Sequence, residues 1–211
     1  MKYIGMPLGM WLLFKGSFQK NLVSVLGFSA SIAAEITKSA KTEYRRIIAR
    51  LPEFEKGDRF TMNIVNCAML AAFYLNMDTK PNVEAMTEYY RASMMTGVME
   101  WFCRQSGKSK FSEKDIQSMK DTARLKAADR NPYSWNMEYY PYEDGSGYEA
   151  RFTKCGICTL MQELGIYELV PAVCALDYTM SEAGGASDFV REYTLASGGP
   201  YCDCGYKKRR A

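Results

Sequence analysis

The stretch YSWNMEYYPYEDGSGYEARF, residues 133–152, decides the fold class, because the hydrophobic period changes inside it. Tyr133, Trp135, Met137 and Tyr139 alternate with Ser134, Asn136 and Glu138, which is the two-residue period of a half-buried strand. Glu143-Asp144-Gly145-Ser146-Gly147 then supplies turn residues, and Tyr148, Ala150 and Phe152 alternate again with Glu149, Arg151 and Thr153. Two alternating runs around such a turn predict a β-hairpin.

Upstream of this hairpin the period is helical. Ile32, Ile36, Ala40, Tyr44, Ile47, Ile48 and Leu51 recur at three- and four-residue spacing until Pro52 stops them. Phe60, Ile64, Cys67, Ala68, Ala71, Ala72 and Leu75 form a second stripe, and Val83, Met86, Tyr90, Met94, Val98 and Trp101 a third. Gly107-Lys108-Ser109 reads as a loop, and Ser112 with Asp115 as the capped start of a weaker helix. Downstream, helices are predicted from about Cys155 to Leu164, ended by Gly165, and from about Glu168 to Glu182, ended by Gly184-Gly185. Asp188–Ala196 and Tyr201–Lys208 read as two strands joined by a Gly-Gly-Pro turn. The expectation is an α+β fold: a helical N-terminal lobe over residues 1–130 packed on a ββααββ unit over residues 131–211, with a four-stranded antiparallel sheet, the two forming one compact unit.

Composition narrows the function classes. A chain of 211 residues, 47% hydrophobic and 24% charged, has enough apolar material for a sizeable core. Its net charge is only +3, and part of that sits in the terminal Lys207-Lys208-Arg209-Arg210 run, which reads as a solvated tail. No basic stripe carries interleaved aromatics, so nucleic acid is not an expected partner. The apolar run MPLGMWLLF, residues 6–14, is too short to span a bilayer and lacks a cleavage-site pattern, so neither a membrane partner nor export is expected. Seven cysteines, an odd number in a chain of this size, point to free thiols in a reducing cytoplasm. The expected partner is a small-molecule substrate, with homo-oligomerisation left open.

There is no histidine, so any acid–base or nucleophilic chemistry falls to cysteines and carboxylates. Cys67 and Cys103 lie on apolar helical stripes and read as small buried hydrophobes. Cys155 and Cys158 form C-x-x-C where a strand should hand over to a helix, and a thiol in a first helical turn gains thiolate character. Cys174 and Asp177 sit three apart on one predicted helix, with Asp177 inside the apolar run PAVCALDY. Cys202, Asp203 and Cys204 lie on a predicted strand, whose period puts the two thiols on one face and Asp203 on the other. The spacing of the four later thiols matches no familiar zinc finger or ribbon, although three or four thiolates can hold zinc.

These blocks, in order, resemble a known family. Cys155 precedes Gly165 by ten residues, E-L-x-P-x-x-C-x-x-D runs from Glu168 to Asp177, and T-L-A-x-G-G-x-x-C-D from Thr194 to Asp203. Together they look like the L-2-amino-thiazoline-4-carboxylic acid hydrolases, whose bacterial members MPLGMWLLF and DRFTMNIVNCAMLAAF (residues 58–73) also resemble. Cys204 is a departure, standing where such sequences tend to carry an aromatic. The resemblance implies hydrolytic opening of a cyclic isothiourea-like ring to a carbamoyl-cysteine on a route to L-cysteine.

For that chemistry the candidates are Cys155 or Cys202 as nucleophile, with Cys174 beside them, and Asp177 or Asp203 as amidinium ligand and general base. Arg151 and Arg191 are candidates to hold the substrate carboxylate, and Thr194 to add a hydroxyl. No cofactor is required. Two alternatives stay open: a zinc-dependent hydrolase with thiol ligands, and a non-enzymatic small-molecule or metal-binding module.

Overall fold

The computed structural model describes residues 1–209. Its contacts group the chain into two units: residues 1–96 with 157–174, and residues 97–156 with 175–211.

The first unit is helical. It contains α1 (Met6–Ser24), α2 (Ala30–Arg50), α3 (Thr61–Leu75) and α4 (Val83–Met94). Ser29 and Asn82 start α2 and α4 by accepting the Ile32 and Ala85 amides, which relieves orphan donors of the first turns. Trp11, Phe14, Phe18 and Leu22 recur at helical spacing on α1 and are all buried. Trp11 stacks on Tyr44 and Phe73, with ring centroids 5.6 and 5.8 Å apart, and Phe18 packs on Phe73 at 4.9 Å. The Tyr44 and Tyr89 hydroxyls donate to the Pro7 and Phe18 carbonyls, so burying these rings strands no donor. α3 is buried on every side from Ile64 to Tyr74, which is why its sequence is apolar all round rather than striped. No helix among the described residues is long and apolar enough to cross a membrane.

The third stripe divides into two helices. α4 stops at Met94, and α5 (Gly97–Ser109) follows after Met95 and Thr96 with Val98 and Trp101 exposed instead of continuing the buried face. α5 also runs through Gly107-Lys108-Ser109, where a loop was expected. Gly107 is needed there, because a Cβ would run into the Gly184 carbonyl at the end of α9 (Leu176–Gly184). α6 (Glu113–Lys126) begins at Ser112, whose hydroxyl accepts the Asp115 amide as the sequence suggested.

The second unit carries the sheet. β1 (Asn136–Pro141), β2 (Gly147–Lys154), β3 (Ser187–Val190) and β4 (Cys202–Lys208) lie in the order β1-β2-β4-β3, with every neighbouring pair antiparallel. The chain is therefore α+β with a four-stranded antiparallel sheet, as the change of period predicts. Tyr139, Tyr148, Tyr206, Phe189 and Tyr178 form a continuous row of ring contacts, 4.8–5.7 Å between centroids, across the sheet and onto α9.

Three local expectations are corrected. β1 starts at Asn136 rather than Tyr133, because Asn131 turns the chain back onto the Tyr133 and Ser134 amides and Lys126 binds the buried Ser134 hydroxyl. The strand expected over Asp188–Ala196 ends at Val190, and residues 191–201 form a loop with a 3-10 turn at Leu195–Ser197. The helix expected over Glu168–Glu182 is a 3-10 turn at Tyr167–Leu169, then α8 (Val170–Cys174) and α9, interrupted at Ala175. α7 (Gly156–Glu163) matches its predicted span and ends before Gly165, whose φ of 69° suits a residue without Cβ. Within the basic run, Lys207 and Lys208 belong to β4, and Arg209 pairs with Asp188. Arg210 lies outside the described residues.

Candidate active site

β4 sets the geometry. Cys202 pairs with Phe152, Asp203 with Arg151 and Cys204 with Ala150, so the parity read from the sequence holds. Both thiols share the face of Ala150 and Tyr148 and are buried. Asp203 lies on the opposite face with Arg151.

On the thiol face, Arg191 follows β3 and its side chain is only 6% exposed. One guanidinium nitrogen, Nη2, donates both to Asp177 Oδ2 in the first turn of α9 and to Cys204 Sγ, the latter at 3.0 Å. The guanidinium carbon lies 4.6 Å from the Phe189 ring centroid and 5.8 Å from that of Tyr178, so packing as well as charge holds it. Asp177 is the open end of this chain of contacts, its side chain keeping 45% of its surface. Crowding by protein atoms pushes the Asp177 carboxyl up and Arg191 pulls it back; the exposed surface limits how far the upward push can go. Burial pushes the Cys204 thiol up to about 12, Arg191 opposes this, and Asp177 and Cys202 add to it. Cys204 is thus a neutral thiol at rest.

The Cys202-Asp203 pair ties down the loop that carries Arg191. The two Asp203 oxygens accept the Glu192 and Tyr193 amides at 2.8 and 2.6 Å. Cys202 Sγ accepts the Leu195 amide at 3.2 Å from the other face. Thr194 closes the 3-10 turn, its hydroxyl accepting the Ser197 amide at 3.1 Å. Gly199 turns the chain back, donating to the Thr194 carbonyl at 2.9 Å, and a Cβ there would press on that same carbonyl.

Arg151 belongs to the other sheet face. Its Nε donates to Glu149 at 2.7 Å, and its guanidinium sits between the rings of Tyr140 and Tyr201, 4.4 and 4.1 Å from their centroids. Among the site candidates, then, the structure joins Asp177 and Arg191, puts Cys202 on their side of the sheet, assigns Asp203 and Thr194 to the loop, and separates Arg151 by the sheet itself. Cys155 stands between β2 and α7, half-buried; the backbone at Gly156 touches the Tyr133 carbonyl so closely that a Cβ has no room. Cys174 closes α8 in the first unit, where burial chiefly, then Cys158 and Cys174, push the thiol of Cys67 up. Tyr167 donates to Cys158 Sγ at 3.8 Å. Cys204 as the partner of Arg191 was not among the sequence candidates, although strand parity placed it on the same face as Cys202.

Among the described residues no three Cys, Asp or Glu side chains gather as a metal-holding set. A cleft of about 500 Å³ lies elsewhere, between the N-terminal residues Met1–Pro7, the 53–59 loop and the start of α3.

No curated protein and no solved structure matches the chain. The family model described as L-2-amino-thiazoline-4-carboxylic acid hydrolase matches residues 62–206, which include every candidate residue of the site. With that match covering more than half of its length, the chain belongs to the L-2-amino-thiazoline-4-carboxylic acid hydrolase family, a family of hydrolases.

Proposed function

We propose that this hydrolase opens a cyclic isothiourea or amidine-like ring derived from an amino acid, giving a carbamoyl-cysteine, with Cys202 as nucleophile and Asp177 as amidinium ligand and proton carrier. The supporting observation is the neighbourhood of a half-exposed carboxylate, a buried guanidinium and two strand thiols on one face. Cys202 and Cys204 are two residues apart on a regular strand, roughly 7 Å between Cα atoms.

In this reading the Cys202 thiolate, aided by the Leu195 amide, attacks the carbon that bears the ring nitrogen, ring sulfur and exocyclic nitrogen. The new S–C bond forms, the ring C–N or C–S bond breaks, and the leaving atom takes a proton. Water activated at Asp177 then adds to the same carbon, and the Cys202 thiolate leaves. The balance is one water consumed and no cofactor used. Asp177 suits the amidinium because its second oxygen and nearly half its surface remain open while Arg191 holds the first.

The test is incubation of the purified protein with 2-amino-thiazoline-4-carboxylate and chromatographic detection of carbamoyl-cysteine. Product is expected from the wild type and from Cys155→Ser, and none above background from Cys202→Ser. Full turnover in Cys202→Ser removes the nucleophile assignment, and no product from the wild type removes the substrate.

A further inference from the structure

α1 gives only one side to the core. Trp11, Phe14, Phe18 and Leu22 are buried, whereas Gly9, Leu12, Leu13, Gly16 and Lys20 recur at three- and four-residue spacing along the opposite side and are exposed. Leu12 keeps 58% of its surface and Leu13 46%, and Ile4 and Met6 keep 64% and 45%. A Cβ added at Gly9 or Gly16 meets nothing within 4 Å, so nothing among the described residues covers this side. A helix side left to water is ordinarily polar, and adjoining exposed aliphatic side chains mark a contact surface.

Charge says what the surface fits. α1 carries Lys15 and Lys20 and no acidic residue. Residues 1–50 hold eight Lys and Arg against two acids, Glu35 and Glu43, in a chain whose net charge is only +3. Lys38, Lys41, Arg45 and Arg50 are exposed on α2, which packs on α1 through Tyr44 and Trp11, and the Arg45 guanidinium lies 4.6 Å from the Tyr3 ring beside Ile4. Acidic groups come close at one end, where Glu53, Glu55 and Asp58 line the cleft beside Ile4 and Met6, together with Lys2 and Arg59. A second copy of this chain would set basic face against basic face, which charge disfavours. A nucleic acid would ask for stacking rings, yet the large exposed apolar side chains here, Ile4, Met6, Leu12, Leu13, Val23 and Ile32, are all aliphatic.

We propose that the outer side of α1, with the basic face of α2, is a docking surface for a membrane rich in anionic lipid headgroups. Leu12 and Leu13 enter the boundary between headgroups and acyl chains, and Lys15 and Lys20 lay their stems along it with their ammonium groups among the headgroups. The helix lies along the bilayer, so the contact asks nothing of residues 6–14 as a span, which they are too short to make. It departs from the expectation of no membrane partner, which was drawn from the length of that run. The contact lies in the helical unit and is independent of the reaction proposed above.

The test is co-sedimentation of the full chain with vesicles of phosphatidylcholine, alone or with about one-third phosphatidylserine, at low and high salt. The wild type is expected to partition at least about tenfold more strongly onto the anionic vesicles, with the difference lost at high salt. Leu12→Gln with Leu13→Gln, both on the exposed side and both replaced by a good helix former, should weaken that partition at least about tenfold. Lys15→Gln with Lys20→Gln should weaken it about fivefold per lysine on anionic vesicles and leave the neutral ones unaffected. No binding to either vesicle overturns the proposal, and so does equal binding to both. Binding that the leucine pair leaves unchanged overturns the assignment to α1. A wild type that sediments as a dimer without vesicles, becomes monomeric in the leucine variant and ignores lipid assigns the face to a second copy and overturns the membrane. Should the leucine variant fail to fold by circular dichroism, the lysine variant and the salt dependence of the wild type decide.

Discussion

Replacing Asp203 separates a loop anchor from a general base. Its two oxygens accept the Glu192 and Tyr193 amides at 2.8 and 2.6 Å, and these fix the start of the loop just after Arg191. Hydrogen bonds to a charged group contribute about 1.5–3 kcal/mol each when buried, but both of these amides can be rehydrated once released. The expected cost of Asp203→Ala is therefore about 1–3 kcal/mol in total, concentrated in the loop. Hydrogen exchange reads this directly: the Glu192 and Tyr193 amides should exchange about five- to 150-fold faster, while amides of α9 stay as they were. Asp203→Asn keeps one acceptor oxygen, so it should retain turnover within about tenfold, whereas removing a true general base costs about 100- to 10,000-fold. Unchanged exchange at Glu192 and Tyr193 in Asp203→Ala would refute the anchoring argument, and collapse of turnover in a well-folded Asp203→Asn would return Asp203 to the chemistry.

Two further outcomes follow from the second unit. Gly156→Ala drives a Cβ into the Tyr133 carbonyl, with Ser134 N only 3.0 Å away, on a segment held by Asn131 and Lys126; urea unfolding should show a loss of at least about 3 kcal/mol, and a loss under about 1 kcal/mol contradicts the close approach. Burial pushes the Asp129 carboxyl up, but Lys126, the Asn131 amide and Ser134 together hold it below the usual carboxylate range. A carboxyl lowered by folding adds stability that is present above the unfolded value of about 3.9 and is lost as pH falls through the folded value. Asp129→Asn should accordingly cost about 3 kcal/mol at neutral pH, where it takes the paired carboxylate away from the buried Lys126 ammonium, and the difference from wild type should shrink below about pH 4. A difference independent of pH would rule out the ion pair as its source.

Local rules explain most of what the sequence reveals about this protein. The switch of period at Tyr133–Phe152, the Ser112 cap, the Gly165 stop and the parity of Cys202, Asp203 and Cys204 each depend on residues a few positions apart, and the backbone obeys them. The same parity made Cys-Asp-Cys a two-faced element before any fold was known, and the three ordered blocks carried the family. Tertiary structure decided the rest, because it depends on partners distant in the chain. α5 continues through Gly107 because Gly184 lies against it, and the strand after Ser187 stops at Val190 because Asp203 recruits the next amides into a loop. Arg151 and Arg191 are indistinguishable as cations in the sequence, yet the sheet puts one between two tyrosines beside Glu149 and the other between Asp177 and Cys204. Periodicity assigns a side chain to a face, but which charges meet across that face is set by long-range packing.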